Sequence, residues 1–443
     1  IAIGLLIGTI LNWYIVSARL RKYTIVAGNS LTIPSFFKNR YRDHKNIIKI
    51  VSASIIAVFF TVYTASAFSS GAKLFATLFS DSASGDENYN RVYVIGLIVA
   101  AVVILVYTFM GGFKAVCTTD LIQGLMMIVA ILTVPVLAYA ILTFDTSFSS
   151  ALAAKGVEQP AQFLNFFVNG DGTPVSAVSI ISNLAWGLGY FGMPHILVRF
   201  MAVKSNEEIK KSRKIAVVWV IISLTASCLI GLIARGYLTA QLDDATSESV
   251  FIRTIQQLFS GNGVLIFIGG IFLCGILAAI MSTADSQLLV TASAVSEDLY
   301  KGAVKKNASE KSSLLVGKIA VAVVAVIAFF IALNPKSSIM GLVSDAWAGF
   351  GSAFGPVVLL ALFWKRSTLS GAISGMATGA LTVIIWDYIP LVNGQTLYAA
   401  TNLYSLVVGF GLALIVNVIV SLISKKPSKE IMDEFDSIKN IEV

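Results

Sequence analysis

Apolar residues in this chain run in long blocks rather than alternating with polar ones, and the blocks are interrupted by Lys, Arg, Asp or Glu. Eleven blocks carry no charge: 1–18, 50–72, 92–113, 121–144, 172–198, 215–234, 254–284, 319–335, 346–364, 367–386 and 388–424. A helix that crosses a bilayer needs about 20 such residues, so each block predicts a membrane-spanning helix. The shortest blocks require the helix to extend over a flanking charge, and the last includes a polar loop before Thr401. Barrel strands would be far shorter and would alternate, which leaves helices as the way to satisfy the backbone in lipid.

Composition agrees with the pattern: 56% of the 443 residues are hydrophobic and 13% charged, with a mean hydropathy of +0.83, whereas soluble domains carry about a quarter charged residues. The net charge of +8 would suggest nucleic acid on a soluble protein. Its location removes that reading. With loops taken alternately from Ile1, one side holds 25 of the 32 basic residues and the other six, with Lys318 at a helix end. This positive-inside bias predicts that Ile1 lies outside and that the tail 424–443 is cytoplasmic. Residues 1–423 read as one polytopic domain of the cytoplasmic membrane, with no room for a soluble catalytic module. The basic segment Arg19–Lys49 reads as a solvated loop in which SLTIPSFF could lie at the interface, and the outside loop 144–174 could carry a short amphipathic helix. Cys117, Cys228 and Cys274 are scattered and odd in number, and His44 and His195 cannot alone build a zinc site, so no disulfide framework or metal cluster follows. The first residue is Ile rather than Met, inside an apolar run, so the chain reads as cut at its front.

Three constellations could carry chemistry. WGLGYFGMP (186–194) places three glycines and a proline within a spanning block, where a helix is expected to break; such breaks in transporters line a polar cavity near the midplane. Trp186, Tyr190 and Pro194 recur every four residues, which on a helix puts them on nearly one face; they suit a small amphipathic solute or, equally, a packed aromatic stripe. In LAAIMSTADSQLL (277–289), Ser282 and Thr283 beside the Ala279 turn offer neutral oxygens suited to a monovalent cation, with the competing reading that the hydroxyls bond back to the preceding turn. Asp120, Asp285 and Asp345 lie in or beside helices, Asp285 five residues before an expected helix end, and an intramembrane carboxylate must find a cation, a proton or a partner.

The strings LTIPSFF, FFTVYTAS, YTFMGGFKAV with TDLIQ, WGLGYFGMPHILVRFMA, ILAAIMSTADSQLLV with EDLYK, and AWAGFGSAFGPVVL with LFWKR together resemble the sodium/solute symporter family. That resemblance implies an all-α fold of the leucine-transporter type, two inverted five-helix repeats with solute and ion between them, and a chain of eleven spans where the family has thirteen. It implies that Trp186, Tyr190 and Pro194 bind substrate with Tyr63 on a facing helix. Ala279, Ser282 and Thr283 would form half of a sodium site whose other half belongs to an earlier helix, and Asp120 would stand near the inner end of the ion pathway. Asp285 and Asp345 depart from the pattern, which has uncharged Ser and Tyr there. They could be a second cation site, a proton acceptor or a local pairing.

The function implied is sodium-coupled symport of L-proline, with the lipid bilayer as its medium, sodium as its co-transported ion, and neither nucleic acid nor an obligatory protein partner. Other small solutes, such as a sugar, sialic acid or pantothenate, are the alternatives within the family, and a transporter-like membrane sensor is the alternative outside it. An enzyme is not expected, because no His, Cys or carboxylate set pairs a nucleophile with a base.

Overall fold

In the first spanning segment α1 (Ala2–Leu11) runs through a wide π turn, Asn12–Val16, into α2 (Ser17–Val26). The computed structural model describes residues 1–80, 86–110, 112–169, 172–244, 246–305, 307–336 and 338–438, so residues 81–85, 111, 170–171, 245, 306, 337 and 439–443 lie outside the described residues. The chain continues through α3 (Ile33–Tyr41), α4 (Ile47–Phe79), α5 (Glu87–Met110) and α6 (Phe113–Leu142). The short helices α7 (Phe148–Ala154) and α8 (Pro160–Phe163) follow in the loop 144–174, where the sequence allows one short helix. Then come α9 (Ala177–Ala185), a 3-10 segment (Trp186–Phe191), α10 (Pro194–Ala202), α11 (Asn206–Tyr237) and α12 (Val250–Leu258). α13 (Gly263–Ser293) passes into wide π turns to Val304 and is followed by α14 (Glu310–Ala332), α15 (Ile339–Phe363) and α16 (Leu369–Tyr388). A hairpin of β1 (Pro390–Val392) and β2 (Gln395–Thr396), turned by Asn393 and Gly394 at positive φ, leads to α17 (Leu397–Thr401), α18 (Ser405–Ile423) and α19 (Lys429–Ser437).

Among the described residues, ten continuous helical segments are long and apolar enough to cross a membrane. The remaining block, the fifth (172–198), is the one the glycines and proline interrupt, and it is covered by two short helices with the 3-10 segment between them. The block 254–284 differs in another way. Its start belongs to the separate helix α12, and α13 runs on to Ser293, so Asp285 stands well inside a span instead of near its end.

The core is built around α15, whose residues Ala346–Val358 are all buried. It packs against α4, α16, α18 and the 3-10 segment. Small residues make these approaches close, because a bilayer gives helices no hydrophobic drive to associate and van der Waals packing must substitute. The segment read as a solvated basic loop is mostly ordered and tucked inward. α2 carries the first span past Arg19 and Arg21, as the short block required, and α3 starts where Thr32 accepts a hydrogen bond from the Ser35 N–H at 3.2 Å and Pro34 occupies the first turn. Ile33, Phe36, Phe37 and even Arg40 are buried. Arg40 is tolerated because its guanidinium lies 5.2–5.3 Å from the ring centroids of Tyr23, Tyr41 and Phe435, the last supplied by α19.

Candidate functional site

The break in the fifth block arises locally. Ser176 caps α9 by accepting from the Ser179 N–H at 3.1 Å, the helix tightens to 3-10 geometry at Trp186, and Met193 is extended, as the residue before a proline prefers. Pro194 then opens α10, where its missing N–H costs no helical bond. Two of the glycines are required by close approach. A Cβ on Gly187 would sit 2.3 Å from the Gly4 carbonyl oxygen, and one on Gly189 would sit 1.9 Å from Nε1 of Trp347.

Because the backbone departs from α-helical geometry here, Trp186, Tyr190 and Pro194 do not share one face. Trp186 borders a cavity of about 380 Å³ that opens on the side of the acidic and neutral loops, together with Asn183, Ser344, Asp345, Asp387 and Tyr404. Pro194 borders a cavity of about 320 Å³ on the basic side, with Thr32, Val198, Val290, Ser293 and Asp298. The 3-10 segment and its aromatic neighbours stand between the two. The Trp186 ring stacks on Tyr404 at 5.4 Å, and Tyr190 meets Trp347 edge-on at 5.1 Å. Tyr63 packs from α4 against this region, edge-on to His195 at 6.4 Å.

The predicted cation oxygens are also brought together. The Ser282 and Thr283 hydroxyls donate to the Ala279 carbonyl at 3.2 and 3.0 Å, so the back-bonding read as the competing explanation is present and gathers the three oxygens at one turn of α13. Asp285 follows on the basic-side half of the same helix, with Asp120 close by on α6. Asp120 of α6 accepts from Arg199 of α10 at 2.7 Å, and the same guanidinium nitrogen donates to Ser286 at 2.8 Å. Asp285 is fully buried and neither of its oxygens finds a hydrogen-bond donor. Asp345 behaves differently: it accepts from the Tyr388 hydroxyl of α16, one of the local pairings left open for it.

Sequence reasoning missed several of these residues. The sequence pattern marks Arg199 only as a basic flank, although its spacing four residues beyond His195 places it one turn along α10, where it also donates to the His195 carbonyl at 2.6 Å. No site motif in the sequence marks Trp347 or Tyr404. For Trp347 the signal was an indole inside a Gly- and Ala-rich span, where a buried N–H must find an acceptor. Thr32, Ser35, Lys49 and Asp298 meet at the basic-side cavity: the two hydroxyls and the ammonium lie 2.9–3.1 Å from Oδ1 of Asp298.

Residues 1–379 match the Sodium:solute symporter family. Among curated relatives, the chain is 41% identical over 449 residues to the "Sodium/proline symporter" of Staphylococcus aureus and, at the same identity, to that of S. aureus strain JH9, covering 100% of this chain and 82% of each relative. Among solved structures it is similar to a substrate-bound outward-open state of a Na+-coupled sialic acid symporter, with a TM-score of 0.65, 17% identity, and coverage of 97% of this chain and 90% of that one. The fold is therefore of the leucine-transporter type.

Proposed function

Since this chain belongs to the sodium:solute symporter family, we propose that it carries L-proline into the cell together with sodium by alternating access. The observation that carries the reading is the broken segment Trp186–Met193, a 3-10 stretch ending in extended backbone and flanked by aromatic side chains between two cavities on opposite sides, in a chain 41% identical over its whole length to relatives named for proline. Trp186, Tyr190 and Tyr63 enclose the solute, and Pro194 fixes where α10 starts and with it the direction of the helix N-terminus that faces the break.

Sodium is the family's coupling ion. Ala279, Ser282 and Thr283 supply part of its oxygen shell. Sodium bound there favours the state open to the outside and orders the segment around Trp186, so coupling is the difference in affinity of the two states for both ligands. Asp120 and Asp285 lie on the ion's way inward; release to the cytoplasm competes with Arg199 for Asp120. One positive charge moving inward gains about 2.3 kcal/mol per 100 mV, enough to accumulate a neutral zwitterion roughly fiftyfold. The charge asymmetry of the loops supports a cytoplasmic-membrane location with the tail inside.

The test is uptake of labelled proline by proteoliposomes with an imposed sodium gradient. Uptake should fall to the leak level when sodium is replaced by choline, and unlabelled proline should compete better than sialic acid, pantothenate or sugars. Sodium-independent uptake of undiminished rate refutes the coupling, and competition by another solute in place of proline refutes the substrate.

A further inference from the structure

Trp347 lies on α15, outside every set of residues assigned above to solute or ion, yet it touches the broken segment at three positions. Its indole N–H donates to the Trp186 carbonyl at 2.8 Å. Its five-membered ring lies so close to the backbone at Gly189 that a Cβ there would stand 1.9 Å from Nε1 and 2.6 Å from Cδ1. Its ring meets Tyr190 edge-on at 5.1 Å and 87°, and lies 6.3 Å from the Trp186 ring at an interplanar angle of 26°. The side chain is 6% exposed, so this bond is made away from water. Where the α-helix gives way to 3-10 geometry the carbonyl exchanges its i+4 partner for the poorer i+3 bond, and the Trp347 N–H supplies it with a second donor in a buried site. One side chain thus satisfies the carbonyl at the start of the break and sets the spacing of both rings that border the solute.

We infer that Trp347 is a positioning residue for the solute. Through the Trp186 carbonyl it holds the 3-10 segment in the conformation that presents Trp186 and Tyr190, and it makes no contact with the solute itself. The indole N–H does the holding, while the ring's bulk accounts for Gly189. Those two parts are separable: a benzothiophene side chain has the shape and stacking of indole but sulfur where the N–H was.

The experiment replaces Trp347 by its benzothiophene isostere through a reassigned codon, with Trp347→Phe as the ordinary variant. Two properties of the purified, full-length protein are compared with wild type. The first is hydrogen exchange of the backbone amides across 186–193, which does not depend on what the solute is. The isostere should exchange several-fold faster there, with the rest of α15 unchanged. The second rests on the proline reading: half-saturation for proline should rise about two- to twelvefold, the range for one net hydrogen bond, with the maximal rate within about twofold. Unchanged exchange overturns the inference, whatever uptake does. Faster exchange with unchanged half-saturation and a collapsed maximal rate overturns the solute-positioning role and leaves Trp347 a packing residue. If wild type takes up no proline, the substrate reading falls separately and exchange alone decides whether the N–H holds the segment.

Discussion

Replacing Asp298 by Asn tests how firmly α3 is tied to the end of the long helix that carries the cation oxygens. Oδ1 of Asp298 receives the Thr32 hydroxyl at 3.1 Å, the Ser35 hydroxyl at 2.9 Å and the Lys49 ammonium at 3.0 Å, and the side chain is fully buried. Two unit charges 3.0 Å apart attract by about 5–6 kcal/mol at an effective dielectric near 20. Burying Asp298 offsets several kcal/mol of that. Lys49 is 11% exposed and also donates to the Glu297 carbonyl at 3.2 Å, so it retains a partial substitute when the charge is removed. The surviving coupling is therefore about 1–3 kcal/mol. Asn keeps an acceptor for both hydroxyls, so Asp298→Asn isolates the charge. The assay is a double-mutant cycle of Asp298→Asn with Lys49→Met, read from the thermal inactivation midpoint of detergent-solubilised protein. Each single change should destabilise and the pair should cost less than the sum. Additive losses would show that the ammonium and the carboxylate do not hold each other, and the latch would then rest on the hydroxyls alone.

Three further outcomes follow from the geometry. Thr283→Ala removes one of three converging oxygens and should raise the sodium concentration for half-maximal uptake about tenfold while leaving expression intact; an unchanged sodium dependence would take Thr283 out of the ion site. Asp285→Asn removes a buried carboxylate that has no donor, so it should raise thermal stability measured without sodium by about 1 kcal/mol or more, and a loss of stability would show that the carboxylate has a partner. Glu248 is half-buried, which by itself raises a carboxyl pKa, but Lys73, the Met340 N–H and the Ser338 hydroxyl more than offset this and hold it below the ordinary value. A depressed folded-state pKa gives stability that is present above the unfolded value and lost as pH falls through the folded one. The stability difference between wild type and Glu248→Gln should thus be full at pH 7, begin to fall as the pH drops below about 4.3 and vanish only below the lowered folded value, and a difference that does not shrink in acid would refute it.

The spans were legible because charges are excluded from lipid and mark helix ends directly. The break was legible too, since Gly187, Gly189, Gly192 and Pro194 cannot all sit inside one undistorted helix. What they become was not: the inference that Trp186 and Pro194 share a face assumed 3.6 residues per turn across the very residues that abolish it. Pairings between distant elements leave no local trace, so Arg199 with Asp120 and Trp347 with Trp186 emerge only from the fold. The burial of α3 was hidden by Lys38, Arg40 and Arg42, whose charges read as solvent. Arg42 does reach outward, to Glu430 and Glu434 of α19, while Arg40 is enclosed by rings that come from three separate helices.

The contact of Thr32 and Ser35 with Asp298 joins two short words of the sequence, LTIPSFF and EDLYK, that stand 266 and 263 residues apart. Neither word has its buried partner without the other, so they constitute a single heritable unit. A chimera that takes one of the two from a relative with different polar residues should inherit a carboxylate left to Lys49 alone or hydroxyls without their buried acceptor. A chimera that takes both should not, which makes the pair, and not either stretch alone, the natural boundary for exchanging parts between transporters of this kind.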